Sequence, residues 1–61
     1  MDINEMRRWF EQERLKARER LHCHLENGER ELKAGHRHLA FWELCWAREI
    51  RNDWKLFDVK F

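Results

Sequence analysis

The chain has two glycines, Gly28 and Gly35, and no proline, so the places where a helix can most readily end lie near its middle. The residues on either side are helix formers, chiefly Leu, Ala, Glu, Arg and Lys. Sheet-forming residues are nearly absent. Ile3, Ile50 and Val59 are the only β-branched residues, and there is no Ser, Thr or Tyr. The sequence therefore reads as all-α, with two helices folded back as an antiparallel hairpin in one small domain of residues 1–61.

Asp2 followed three residues later by Glu5 has the form of a helix start, with an acidic cap and a glutamate in the first turn. The spacing predicts a first helix over about residues 3–26. Asn27-Gly28 is the stronger turn signal, because both residues tolerate left-handed backbone. Gly35 is the rival, with the first helix then reaching Lys33. A second helix is expected over about 29–53, then a short tail, 54–61. In the tail, Phe57, Val59 and Phe61 alternate with Asp58 and Lys60, which suits an extended segment; the alternative is a helix continuing to about Phe57.

Ile3, Met6, Phe10, Ala17, Leu21 and Leu25 recur at helical spacing and define one stripe of the first helix. Leu32, His36, Leu39, Trp46, Ile50 and Trp54 do the same in the second, with Trp46, Ile50 and Trp54 expected in the core beside Phe10, Leu21 and Leu25. Phe41, Leu44 and Cys45 lie off that stripe, so Leu39–Ala47 is apolar around most of its circumference. A hairpin covers one stripe of each helix, so such a segment asks for a second surface. Six of the eight aromatic residues also fall after residue 40, and indoles are frequent anchors of protein interfaces. A homodimer closing as a four-helix bundle would supply the surface. A domain near 60 residues, burying only about 60% of its unfolded surface, gains from such a partner. Trp9, Phe41, Trp42, Leu44 and Cys45 are the candidate partner-binding residues, with Arg14, Lys16 and Arg18 steering.

Charge narrows the function classes. The net charge is +1, and basic and acidic residues are interspersed along the whole chain. A nucleic-acid module usually carries a basic excess on one face. The local exception is Arg14-Leu-Lys-Ala-Arg-Glu-Arg20. It leaves an alternative in which Arg7, Arg8, Arg14, Lys16, Arg18 and Arg20 meet phosphates in a small nucleic-acid-binding regulator. No apolar run approaches the roughly 18 residues of a membrane span. The opening Met-Asp-Ile-Asn-Glu has neither the basic nor the apolar part of a secretion signal. A cytoplasmic location with reduced thiols is expected.

His22, Cys23, His24, His36, His38 and Cys45 are all potential metal ligands. Residues two apart on a helix diverge by about 200°, so His22 and His24 cannot share an ion from helical backbone. Neither Cys-x-x-Cys nor His-x-x-x-His occurs, and no metal or other cofactor is expected. A hydroxyl nucleophile is impossible without Ser, Thr or Tyr, and Cys23 has no histidine placed to activate it. No catalytic residue is assigned. Glu43 stands amid aromatics, either as a buried carboxylate pairing an arginine across the hairpin or as a polar interface residue.

The start Met-Asp-Ile-Asn-Glu-Met-Arg-Arg-Trp-Phe, the charged first helix, the Leu39–Trp46 aromatic block and Ile50-Arg-Asn-Asp-Trp54 together resemble the very small charged helical proteins of lambdoid phage early regions. The resemblance lies in the whole-chain type and carries no site residues. It implies a protein that redirects host or phage development by binding another protein.

Overall fold

The computed structural model describes residues 2–61, which form two helices, α1 (Ile3–Lys33) and α2 (Arg37–Asp53), with no strand among the described residues. Asp2 caps α1: its Oδ1 accepts the backbone N–H of Glu5 at 2.8 Å. The two helices form a hairpin joined by residues 34–36, and Gly28 against Leu44, His24 against Glu43 and Phe10 against Trp54 show them running antiparallel.

The turn falls at Gly35, and the preferred break at Asn27-Gly28 is not there. Gly35 takes φ +82, the left-handed conformation that costs glycine least. The Gly35 N–H donates to the Leu32 carbonyl at 3.0 Å and the His36 N–H to the Glu31 carbonyl at 2.8 Å. These two bonds occupy carbonyls that a helix end leaves unpaired. Gly28 serves packing instead. A Cβ there would stand 3.3 Å from Leu44 Cδ2 and 3.4 Å from Leu44 Cγ, so the missing side chain is the hollow that Leu44 fills.

Small residues line much of the seam between the helices. Ala17, Leu21 and Gly28 of α1 and Ala40 and Ala47 of α2 are buried. Alanine and glycine let the backbones approach, so the space between them is narrow. That corrects the expected core. Leu21 is fully buried, and Leu25, Ile50 and Trp54 are partly buried against the cluster it belongs to. Trp46 and Phe10, however, remain 45% and 54% exposed. The α2 seam follows Ala40, Leu44, Ala47 and Arg51, at spacings of four, three and four. An indole does not fit that gap and is displaced to its flank.

The tail is neither strand nor continued helix. α2 ends at Asp53, and Lys55 takes φ 53. The Leu56 N–H reaches the Arg51 carbonyl at 2.9 Å and the Lys55 N–H the Asn52 carbonyl at 3.4 Å, the pattern seen at Gly35. A turn closed by the Val59 N–H on the Leu56 carbonyl at 3.1 Å then carries both side chains inward. Leu56 is fully buried and Val59 is 8% exposed, both in one cluster with Ala17, Leu21 and Ala47. Phe57 and Phe61 stay exposed, so the three alternating apolar residues do not share a side.

The described residues extend 49 × 15 × 14 Å. At a rise of about 1.5 Å per residue, α1 alone spans roughly 46 Å and α2 roughly 26 Å. The first turns of α1, with Ile3, Met6 and Trp9, therefore project past the end of α2, and all three side chains are exposed.

Candidate partner-binding face

The hairpin has two broad sides, and the tail covers one. Arg18 of α1 holds Asp58 of the tail through two hydrogen bonds, Nη1 to Oδ2 at 2.7 Å and Nη2 to Oδ1 at 3.2 Å. The Asp58 carboxyl is held below its ordinary value near 3.8, first by hydrogen bonding from Arg18. The same contact raises the Arg18 guanidinium. Farther along the tail, the Phe61 ring lies under the Arg51 guanidinium, 4.4 Å from ring centre to Cζ.

On the other side, Leu39, Trp42 and Trp46 recur at spacings of three and four along α2 and form an open groove with Glu31 and Glu43, about 460 Å³ in volume. Arg18 and Glu31 are thirteen positions apart on α1, about 140° around its axis, so groove and tail flank the seam on different sides. The aromatic contacts run in series. Phe41 meets Trp42 edge-on at 5.8 Å, Trp42 meets Trp46 at 6.5 Å with planes inclined 34°, and Trp46 meets the His24 ring at 5.6 Å. The Trp42 indole N–H donates to His38 Nε2 at 3.3 Å.

Histidines orient the two carboxylates. Glu43 Oε2 lies 2.6 Å from His24 Nδ1, and Glu31 Oε2 lies 2.8 Å from His36 Nδ1. Glu43 therefore pairs with a histidine across the hairpin, where an arginine partner was one expectation. Both glutamates are largely shielded, with side chains 19% and 29% exposed.

The residues singled out from sequence do not come together on one face. Phe41 and Trp42 are adjacent and more than 40% exposed. Leu44 belongs to the seam, where it fills the Gly28 hollow, and is corrected from a partner-binding to a packing residue. Cys45 is a partly buried free thiol. Trp9 lies far along α1 with Phe10, centroids 5.1 Å apart. Nineteen residues separate it from Gly28, roughly 28 Å of helix, so it does not share the patch of Trp42. Arg14, Lys16 and Arg18 do not form one basic face. Arg18 is engaged by Asp58, Lys16 pairs with Glu13 at 3.3 Å, and residues two apart diverge around the helix.

Leu39, Trp46, Glu31 and Glu43 line the groove beside Trp42 and are not among the partner-binding residues expected from sequence. Helical spacing marks Leu39 and Trp46 as one stripe, which lines the groove and not the seam, while no local pattern marks Glu31 and Glu43. Among the described residues no three His, Cys, Asp or Glu side chains come together as a metal-binding group. None of the described helices is long and apolar enough to cross a membrane. No protein-family model, no curated protein and no solved structure matches the chain.

Proposed function

We infer that this protein acts without catalysis, by binding a protein partner through the face of α2 that carries Leu39, Trp42 and Trp46, with Phe41 at its edge against Trp42. The observation that carries this reading is the exposure of these four large apolar side chains on one short helix, at 52%, 58%, 46% and 45%. Contiguous exposed apolar surface of this kind is characteristic of interaction sites, and indoles are disproportionately the residues on which such sites depend. Self-association belongs to the same reading, because two hairpins apposed through this face make a four-helix arrangement. The whole-chain resemblance to small phage early-region proteins points toward the same kind of role, the redirection of another protein by occupying it.

Sedimentation velocity over a range of concentrations tests the reading, with Phe41→Ala/Trp42→Ala as the variant and far-UV circular dichroism as the control. The expected result is an associating wild type and a monomeric variant with unchanged helicity. A wild type that stays monomeric at every concentration overturns self-association. A variant that unfolds shows that these side chains serve the fold and overturns the assignment of the face.

A further inference from the structure

We propose that the groove between Glu31, Leu39, Trp42, Glu43 and Trp46 receives an arginine side chain presented by the partner protein. The proposal rests on the partner-binding reading of this face and names the chemistry that the face selects.

Charge and shape point to the same occupant. Among the described residues, the carboxylates of Glu13, Glu29 and Asp58 each have a lysine or arginine within 3.3 Å. Glu31 and Glu43 are paired instead with His36 and His24, which are uncharged unless protonated. The best-shielded of these pairs, in the groove, thus has no permanent cation. Each histidine engages Oε2, and no hydrogen bond to either Oε1 is present among the described residues. Each carboxylate therefore keeps one oxygen without a hydrogen-bond partner, and both residues line a groove walled by indoles. A guanidinium fits both features: its planar face stacks on an indole, and its edge donates to a carboxylate. The groove volume of about 460 Å³ holds such a side chain together with its neighbours. The molecule already makes a contact of this kind internally, where the Arg51 guanidinium rests on the Phe61 ring at 4.4 Å.

The test titrates the wild-type chain with a short arginine-containing peptide, and separately with the same peptide carrying citrulline, which keeps the planar shape and removes the charge. The readout is the set of four indole N–H resonances of Trp9, Trp42, Trp46 and Trp54. The expected result is saturable movement of Trp42 and Trp46, with Trp9 and Trp54 still, and little response to the citrulline peptide. Glu31→Gln/Glu43→Gln, checked for helicity, is expected to weaken the arginine peptide by about tenfold, the equivalent of losing one charge-assisted hydrogen bond.

Three results overturn the proposal. One is the absence of saturation. Another is an equal response to citrulline. The third is a shift of Trp42 and Trp46 on raising protein concentration that excess arginine peptide does not reverse, which assigns the groove to a second copy. The first two leave the partner-binding reading standing if the Phe41→Ala/Trp42→Ala variant still loses association. A Phe41→Ala/Trp42→Ala variant that unfolds removes the reading and the proposal together.

Discussion

The tail-covered side of the hairpin and the groove side both offer apolar surface along α2, yet only one is covered by the chain itself. Leu56 and Val59 are almost completely enclosed, while Trp42 and Trp46 keep nearly half of their surface exposed. Hydrophobicity does not distinguish these residues; shape does. Beside Ala17 and Ala47 there is room for a compact aliphatic side chain, and a leucine and a valine from the tail occupy it. The indoles are too large for a seam of alanines and glycine, so they stand on its flank. Small residues between two helices thus draw the backbones together and leave the largest side chains outside.

The comparison breaks most sharply at Leu56. Leu56→Ala removes one of the two largest fully buried side chains, and core truncations of this kind cost about 2–5 kcal/mol. Chemical denaturation should show the variant largely unfolded or strongly destabilised. On the other side, Phe41→Ala/Trp42→Ala should change stability by less than about 1 kcal/mol, as surface substitutions generally do. Equal losses on the two sides would mean that the aromatic face is part of the core.

A smaller effect concerns how the tail is held. Lys55 has φ 53, a left-handed conformation that disfavours a residue with a Cβ. Lys55→Gly relieves that strain while loosening the unfolded chain. The expected net gain is about 0.5 kcal/mol, read as a raised thermal midpoint.

The smallest effect belongs to the exposed ion pair on the tail side. The ionised form of Asp58 is favoured in the folded chain by Arg18, so its contribution is present above the ordinary carboxyl value and is lost as pH falls through the lowered one. The melting advantage of the wild type over Asp58→Asn should therefore be seen near neutral pH and be lost as pH falls below the ordinary carboxyl value and through the lowered one. An advantage that persists in strong acid would assign the role of Asp58 to something other than its charge.

Much of the architecture is legible from local chemistry. The scarcity of β-branched residues implies helices, Asp2 with Glu5 marks the start of α1, and Gly35 is one of only two glycines able to close the turn. Gly28 misleads because missing a Cβ serves a turn and a close helix contact equally well, and only the partner helix decides between them. Trp46 misleads for a related reason. Helical spacing tells which residues share a stripe; it does not tell which stripe faces the neighbour, and a rotation by one position exchanges Trp46 for Ala47. The carboxylates of Glu31 and Glu43 belong to different helices, twelve positions apart, and no local pattern joins them. The tail escaped because alternation in so short a stretch does not separate a strand from two turns that happen to bury every third residue, Leu56 and Val59.

The Leu44 side chain seated in the hollow at Gly28 has a mechanical consequence. It acts as a detent on sliding between the two helices. A slip of α2 by one turn, about 5.4 Å, would carry Leu44 off the one seam position in α1 without a Cβ and onto a side chain. The axial register is thereby indexed. With it is indexed the offset between Glu31 on one helix and Trp42 and Trp46 on the other, so the groove keeps its form before any partner arrives.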